Sequence, residues 1–337
     1  MTLTNVQVLF QRVPQGLPKR QDFEIVEKSL PDLGPDQFLI ANRYLSLDPY
    51  MRMAMGGGWT YAGSSLTPGQ VMVGRIIGEV VETNNPNFKI GDNVVGRLGW
   101  QTYVISDGSD LDFKITPKEN VPLTAYLGAC GSNGITAWIG LKIIGEPKPG
   151  ETVLVSAAGG SVGSAAGQIA KAMGCRAIGI AGGAEKRRVL TEEFGFDAGC
   201  DYKRADLGAQ IEAVAEKGID VYFDSVGGEM LDTILPYMNK FGRVSVCGVL
   251  SEYNQQGEPY GIKNSRLIFD KSLRLQGFVI SRLKEKWDEA RAELEALVAS
   301  GKLRYRETIA DGIHNAPDAF IGMLQGQNIG KQLVKLT

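Results

Sequence analysis

The residues best suited to chemistry form a glycine-rich turn after a short apolar segment. Residues 152–156 are an apolar run typical of a strand buried on both faces. Gly159, Gly160 and Gly163 follow, and the small and apolar residues 164–173 predict a helix. Such a turn exposes backbone N–H groups at a helix N-terminus, where the helix dipole favours negative charge. The predicted chemistry is therefore the binding of a nucleotide pyrophosphate.

The turn departs from the usual G-x-G-x-x-G spacing, because Ala158 stands where the first glycine is expected. Gly160 would let the backbone approach a phosphate without a Cβ, and Gly163 would let the helix pack close to the strand. A second apolar run at 176–181 completes a βαβ unit. The alternative is a glycine turn that serves packing alone. The predicted pyrophosphate contacts are Ala158, Gly160, Ser161, Val162 and Gly163.

The end of the second strand bears on the choice of nucleotide. An NAD site usually has an Asp or Glu there, about twenty residues past the glycines. Here the strand ends in Ala181-Gly182-Gly183, and the cation Lys186 follows. An acid would repel a 2′-phosphate, whereas a cation attracts it. The sequence predicts NADP(H), with Gly182 nearby and Lys186 as the main phosphate contact; a solvated basic helix start is the alternative.

Composition narrows the class of protein. The 337 residues are enough for two domains, and the net charge of −2 argues against a nucleic-acid-binding surface. No apolar run reaches membrane-spanning length, and the N-terminal residues lack the order of a secretory signal. The four scattered cysteines are Cys130, Cys175, Cys200 and Cys247. They predict reduced thiols in a cytoplasmic protein.

The pattern of elements changes near residue 125. Short β segments separated by turn residues fill 1–125, whereas strands and helices alternate over 126–304. That alternation predicts an α/β protein with a doubly wound parallel Rossmann sheet. An amphipathic helix is predicted over 281–300. The mixed segment 305–337 is expected to return to the first domain.

Three segments carry a family resemblance: Leu47-Asp48-Pro49-Tyr50-Met51-Arg52, Cys247-Gly248-x-x-Ser251-x-Tyr253-Asn254 and Gln327-Asn328-Ile329-Gly330-Lys331. With the order of domains, they resemble the medium-chain dehydrogenase/reductase superfamily. Within it they are similar to the zinc-independent prostaglandin reductases, leukotriene B4 12-hydroxydehydrogenases and alkenal double-bond reductases. The resemblance implies a β-rich GroES-like first domain and a homodimer. It also implies NADPH-dependent reduction of the C=C bond of small apolar enones and enals.

Few residues could form a metal site. Catalytic zinc needs three protein ligands and an open position, yet the chain has one histidine, His314, and no C-x-x-C pair. Where zinc-dependent relatives have Gly-His-Glu, this chain has Gly74-Arg75-Ile76. We expect no metal, with His314 a surface or packing residue. A site of carboxylates or dispersed cysteines is the alternative.

Two tyrosines are the candidate catalytic residues. Addition of hydride to an enone places negative charge on the carbonyl oxygen, which a neutral phenol with a pKa of about 10 can stabilise. The resemblance implies Tyr253, in the turn after the fifth strand, as the donor. Tyr50, in a loop of the first domain, is the second candidate. The alternative for each is a packing or rim position.

Further cofactor contacts follow from the resemblance and from the rule that ligands collect at the carboxyl ends of parallel strands. Cys247 is interpreted as a small buried apolar residue, since no histidine partner is available to activate it. Residues 134–137 open a predicted helix that could contact the nicotinamide ribose or phosphate. The implied contacts are Tyr202, Ser225, Cys247, Tyr253, Phe278, Val279 and Asn328.

Two questions stay open in the sequence. Segment 53–67, with Trp59 and Tyr61, is either a lid over an apolar substrate or a surface loop. The alternatives to enone reduction are quinone reduction or oxidation of an allylic alcohol on the same scaffold. A nucleotide-binding protein without catalysis is a further alternative.

Overall fold

The computed structural model describes residues 3–56 and 65–336. The strands are β1 (Thr4–Phe10), β2 (Phe23–Ser29), β3 (Phe38–Ser46), β4 (Ile76–Thr83), β5 (Asn93–Gly96), β6 (Tyr103–Ser106), β7 (Leu111–Lys114), β8 (Thr152–Val155), β9 (Arg176–Ala181), β10 (Ala198–Asp201), β11 (Ile219–Asp224), β12 (Met238–Val246), β13 (Arg274–Gly277), β14 (Glu307–Asp311) and β15 (Lys331–Lys335). The helices are α1 (Tyr50–Ala54), α2 (Ser132–Ile139), α3 (Ser161–Ala172), α4 (Ala184–Glu192), α5 (Leu207–Val214), α6 (Gly228–Ile234), α7 (Arg266–Asp270), α8 (Trp287–Ala299) and α9 (Ala316–Leu324). Within the described ranges, no helix combines the length and apolar character needed to cross a membrane.

The chain forms two compact units, and the first is built from both ends of the sequence. It comprises Met1–Leu127 and Glu307–Thr337, and the second comprises Gly128–Arg306. In the first unit a mixed sheet has the order β14-β15-β3-β4-β5-β7, β6 also pairs with β3, and β1 pairs with β2. The C-terminal strand β15 therefore lies inside this sheet, between β14 and β3.

Aromatic side chains fill the core of the first unit. The Trp100 ring stacks on Phe23 with centroids 5.7 Å apart, and it meets Phe320 of α9 edge-on at 5.5 Å. Phe320 and Trp100 are fully buried. Because α9 belongs to the C-terminal segment, burial of this aromatic cluster helps to fix that segment to the β-rich unit.

The second unit is a parallel sheet with helices between its strands. Its strand order, β10-β9-β8-β11-β12-β13, is that of a Rossmann fold, with β8 as the first strand in sequence. Residues of β8 are buried throughout, as expected of a strand covered on both faces. The predicted fold class, a doubly wound parallel sheet with a β-rich domain, is confirmed.

The predicted helix over 281–300 begins later than expected. Two single turns of 3-10 helix, Ile280–Arg282 and Lys284–Lys286, precede α8. Leu283 between them has φ −129° and ψ 39°, which is not helical, and the Trp287 indole donates to Ile280 O at 2.9 Å. This bond connects the first residue of α8 to the start of the irregular segment. Helix α8 buries Ala290, Leu294 and Val298 on one face.

Candidate functional site

The predicted cofactor residues of the second unit lie along one edge of its sheet. Because all pairings in this sheet are parallel, the carboxyl ends of its strands meet at the same edge. Each strand is followed there by predicted residues: β8 by the turn that contains Ala158 and Gly160, β9 by Gly182, β10 by Tyr202, β11 by Ser225, β12 by Cys247 and β13 by Phe278 and Val279. This is the edge at which open α/β sheets bind their ligands.

The glycine-rich turn ends directly at the N-terminus of α3. Gly160 is the N-cap, with φ −88° and ψ 173°, and the first helical bond runs from Ser164 N to Gly160 O at 2.9 Å. A Cβ on Gly163 would lie 2.5 Å from Ala157 O, so only glycine fits where the helix meets the turn. The amides of the first turn, which have no partner within a helix, therefore suit a phosphate as hydrogen-bond donors.

Side chains that follow β10 lie at the tip of β9, and one from α4 lies at the glycine-rich turn. A Cβ on Gly182 would lie 2.9 Å from both Tyr202 Cε1 and Lys203 Cε, and one on Gly159 would lie 3.2 Å from Lys186 Cδ. The Lys186 side chain thus lies against the glycine-rich turn. Lys203 is a cation of this cluster that the sequence analysis missed, although it directly follows the predicted contact Tyr202.

The charge of Lys203 acts on Lys186. Burial lowers the pKa of the Lys186 ammonium, the charge of Lys203 lowers it further, and Glu185 acts in the opposite direction. Lys186 is half-buried and Lys203 is exposed, and two cations that lie close together repel each other and attract an anion. The cluster of Lys186, Lys203 and Tyr202 therefore has the positive charge that suits a phosphate monoester.

An acid that the sequence analysis missed lies beside the β9 turn. Asp201 Oδ1 accepts from Gly183 N and from Lys203 N, each at 3.0 Å. The bond from the Gly183 amide is the largest of the effects that lower the pKa of this carboxyl. Asp201 therefore fixes the turn that carries the cluster. The position of Asp201 at the end of β10, which neighbours β9 in the sheet, is the feature by which the sequence could have identified it.

The loop after β12 carries Cys247 and Tyr253. Burial of Cys247 Sγ raises its pKa to about 12, although the residue keeps some exposure, so the thiol is protonated near neutral pH. This pKa suits an inert thiol better than a nucleophile. Ser225 is buried beside it, and Tyr253 is half-buried in the turn that follows.

Phe278 and Val279 follow β13, and both are half-buried. The Phe278 amide donates to Val246 O at 3.3 Å, which continues the pairing of β12 with β13. Residues 134–137 lie in the middle of α2, where a Cβ on Gly134 would clash with Ala129 O at 1.8 Å. The helix was expected to open at Gly134, but it begins two residues earlier, at Ser132.

The first unit holds the second candidate tyrosine. Tyr50 was expected in a loop but begins the short helix α1, because Pro49 before it adopts helical angles of −58° and −29°. Burial raises the pKa of Tyr50 to about 12, against the opposing charge of Arg75. Its phenol is therefore neutral over the whole physiological range. Arg75 itself is paired with Asp112 at 2.7 Å.

Two of the sequence motifs meet inside the first unit. Lys331 Nζ lies 2.6 Å from Asp48 Oδ1 and donates to Leu47 O at 2.8 Å. Ser46 Oγ donates to the other oxygen of Asp48. Asn328, three residues before Lys331, donates from its side-chain amide to Gly330 O at 2.8 Å. A buried ion pair thus fixes the segment that begins α1 to the C-terminal strand.

Other predicted features lie apart from these clusters or beyond the described ranges. His314 is exposed, and its carbonyl accepts from Arg20 Nη2 at 3.3 Å. Among the described residues, no three His, Cys, Asp or Glu side chains group as ligands for a metal ion. Trp59 and Tyr61 of the predicted 53–67 segment lie outside the described residues.

Comparisons with known proteins agree with this architecture. Residues 6–113 match a family described as the N-terminal domain of oxidoreductase, and residues 161–296 match one described as zinc-binding dehydrogenase. The chain is 42% identical to the NADPH-dependent curcumin reductase of Escherichia coli (strain K12), over 96% of this chain and 94% of that protein. It is 38% identical to the NADP(+)-dependent 2-alkenal reductase of Nicotiana tabacum, over 99% and 98%. The crystal structure of CurA from Vibrio vulnificus in complex with NADPH has a TM-score of 0.92, 38% identity, and coverage of 98% and 99%.

The Rossmann sheet, the glycine-rich turn at its edge and the β-rich unit are the features of a nucleotide-dependent oxidoreductase. With the relatives above, they confirm the resemblance seen in the sequence motifs. The chain belongs to the medium-chain dehydrogenase/reductase superfamily, in the zinc-independent branch that contains the curcumin, alkenal and prostaglandin reductases.

Proposed function

We propose that this chain is an NADPH-dependent enzyme that reduces the C=C bond of α,β-unsaturated ketones and aldehydes. Its relatives are named as NADPH-dependent or NADP(+)-dependent reductases of curcumin and of 2-alkenals. The observation that carries the proposal is the placement of Lys186 against the glycine-rich turn, with Lys203 and Tyr202 beside the tip of β9. These cations match the 2′-phosphate that distinguishes NADPH from NADH.

The residues at the strand ends suit the parts of the dinucleotide. The first-turn amides of α3, at Ser161, Val162 and Gly163, would bind the pyrophosphate, which can approach because Gly160 has no Cβ. Lys186 and Tyr202 would hold the 2′-phosphate. Ser225, Cys247, Phe278, Val279 and Asn328 are the further contacts that we assign to the cofactor.

Two tyrosine hydroxyls are the candidates that would stabilise the developing charge. When bound, NADPH supplies the hydride that adds to the β-carbon of the substrate. The negative charge then grows on the carbonyl oxygen, where a hydrogen bond from a neutral phenol is strongest. We assign this role first to Tyr253 and second to Tyr50, whose pKa of about 12 keeps its proton in place.

The oxidation of NADPH over a panel of acceptors tests the reaction. We expect turnover with a 2-alkenal and an aryl enone, and none with the saturated ketone of the same skeleton, because hydride addition to the β-carbon requires a conjugated carbonyl. A 1,4-quinone serves as a third acceptor. Turnover of the saturated ketone alone would exclude C=C reduction, and turnover of the quinone alone would assign the scaffold to quinone reduction.

Removal of the Tyr253 hydroxyl should slow the chemical step. We expect Tyr253→Phe to lower kcat on the best enone by roughly 100-fold, which is the usual loss of one donor to a developing oxyanion. Tyr260→Phe is the matched control, since it removes a hydroxyl from the same segment, one that donates to Asp232 at 3.0 Å. An unchanged kcat for Tyr253→Phe would exclude Tyr253 as the donor. Tyr50 would then be the remaining candidate.

We further propose a homodimer formed through β13. This strand ends the sheet order of the second unit, and edge strands offer unpaired backbone groups to another chain. Phe269 of α7 is 84% exposed and Phe241 is 73% exposed, and Phe241 N donates to Lys271 O at 2.8 Å. Two large apolar side chains beside an edge strand are costly in a monomer.

Light scattering on the eluting protein tests the dimer. We expect twice the mass of a single chain, and Phe269→Asp should shift the population towards the monomer. Ile309→Asp places the same charge on a half-exposed apolar residue of the first unit and should leave the mass unchanged. A wild-type protein that elutes with the mass of one chain would contradict the proposal.

The cytoplasm is the location that we propose. Cys130, Cys175, Cys200 and Cys247 are all free thiols, and the first three are buried. Scattered reduced thiols are usual in a reducing compartment. Fractionation of cells that express the chain, followed by detection of the protein, tests this assignment.

A further inference from the structure

Asp224, at the carboxyl end of β11, collects an unusual number of hydrogen bonds on one oxygen. Its Oδ1 accepts from the Tyr222 hydroxyl at 2.8 Å, from Val226 N at 2.9 Å and from Gly227 N at 3.0 Å. The Ser156 hydroxyl also donates to it at 3.2 Å. Asp224 is fully buried, so each of these bonds is made in a medium of low dielectric constant.

These bonds join separate loops. Ser156 begins the glycine-rich turn after β8, and its Oγ also accepts from Ser225 N at 2.8 Å. The Val226 and Gly227 amides belong to the loop after β11. The Asp224 carbonyl accepts from Cys247 N at 2.7 Å and from Gly248 N at 3.2 Å, which are in the loop after β12. One residue therefore contacts the three central loops at the edge of the sheet.

The loop after β12 continues this connection towards Tyr253. Leu250 N donates to Ser225 O and Ser251 N to Val226 O, each at 3.1 Å. Ser251 Oγ adds a second bond to Val226 O at 2.7 Å. The position of the turn that carries Tyr253 thus depends on the loop that Asp224 holds.

We propose that Asp224 is a positioning residue that sets the relative placement of the glycine-rich turn and the loops after β11 and β12. The proposal rests on the assignment of the cofactor to these loops. The side chain of Asp224 lies behind them and acts through Ser156 and the backbone amides. Burial raises the pKa of its carboxyl, and the four donors on Oδ1 oppose that shift. Loss of the carboxyl releases the glycine-rich turn and the loop after β11 directly. The loop after β12 keeps its bonds to the Asp224 carbonyl and is affected through its bonds to Ser225 O and Val226 O.

The opposite end of β11 provides a matched control. Asp220 Oδ2 accepts from Thr152 N at 2.8 Å and Asp220 Oδ1 from Asn239 Nδ2 at 2.7 Å. Asp220 therefore joins neighbouring strands as Asp224 does, but at the amino edge of the sheet. Replacement of either residue with alanine removes a carboxylate that accepts backbone and side-chain bonds. Only the change at Asp224 affects the carboxyl edge.

The test is a fluorescence titration of NADPH, with thermal unfolding measured in parallel. We expect Asp224→Ala to raise the Kd for NADPH by roughly tenfold or more, the equivalent of one lost hydrogen bond to a charged group. Asp224→Asn keeps the Oδ1 acceptor and should weaken binding less. Asp220→Ala should lower the unfolding temperature and leave the Kd unchanged.

Ser156→Ala gives a second measurement that does not depend on the folding of Asp224→Ala. It removes the bonds of Ser156 Oγ to Asp224 and to Ser225 N and leaves the amide bonds on Asp224 Oδ1 in place, so it should raise the Kd by a smaller factor. A Kd within twofold of wild type for both variants, or an equal rise in Asp220→Ala, would overturn the positioning role. Failure of the wild-type protein to bind NADPH would instead overturn the proposed function.

Discussion

Lys331→Ala is expected to lower the free energy of unfolding by about 3–5 kcal/mol, the usual cost of leaving one buried charge without its partner. The Lys331 side chain is 3% exposed and that of Asp48 is 7% exposed, and their charged atoms are 2.6 Å apart. Removal of the ammonium leaves the Asp48 carboxylate buried. It also removes the donor to Leu47 O. Urea unfolding followed by circular dichroism measures the change.

A double variant separates the lost charge from the lost packing. In Asp48→Leu/Lys331→Met both charges are replaced by apolar groups, and most of the lost stability should return, as in other buried ion pairs. Arg266→Ala breaks an exposed pair with Asp270 and should change the stability by less than about 1 kcal/mol. If Lys331→Ala is as stable as Arg266→Ala, the buried pair contributes little to the free energy of unfolding.

Lys186→Ala should raise the KM for NADPH by roughly 10- to 100-fold, which corresponds to the loss of one charge-assisted hydrogen bond. The KM for NADH should stay the same, because NADH has no 2′-phosphate. Arg188→Ala is the matched control, since this exposed cation lies two residues away on α4. Equal losses of NADPH and NADH affinity would assign Lys186 a structural role in place of phosphate recognition.

The pH dependence of NADPH use supplies a second measurement on the same residue. Burial and the charge of Lys203 lower the pKa of Lys186, so its ammonium loses the proton at a lower pH than an ordinary lysine. The binding of a phosphate needs the charged form, and kcat/KM for NADPH should therefore fall as pH rises through that lowered pKa. Lys203→Ala removes one cause of the shift and should move the fall to higher pH. If the pH profile of Lys203→Ala is identical to that of the wild type, Lys203 has no effect on the titration of Lys186.

The parallel sheet was predictable because its signals are local. Strands β8, β9 and β11 are short, largely apolar runs followed by a turn residue, and alternation with helices restricts the topology to a few choices. The start of α8 was placed too early because charge and apolar spacing continue through 281–286, whereas the Trp287 indole bond to Ile280 stabilises an irregular path there. The spacing of charged and apolar residues does not reveal such side-chain hydrogen bonds.

The polar connections of the site were not predictable, for the same reason. Asp201 and Lys203 reach the tip of β9 only because β10 is its neighbour in the sheet, and Asp48 meets Lys331 across 283 positions of sequence. The family motifs identified Tyr50 as a candidate catalytic residue. They gave no indication that Tyr50 begins a helix or that burial raises its pKa.

The place of β15 within its sheet has a consequence for synthesis on the ribosome. All strands of the Rossmann unit precede β14 and β15 in the chain, so that unit can fold while the last strands are still in the exit tunnel. The β-rich unit must wait, because β15 lies between β14 and β3 and supplies Lys331 to Asp48. The nascent chain can therefore complete its Rossmann half first, and the other half only after β15 has left the exit tunnel.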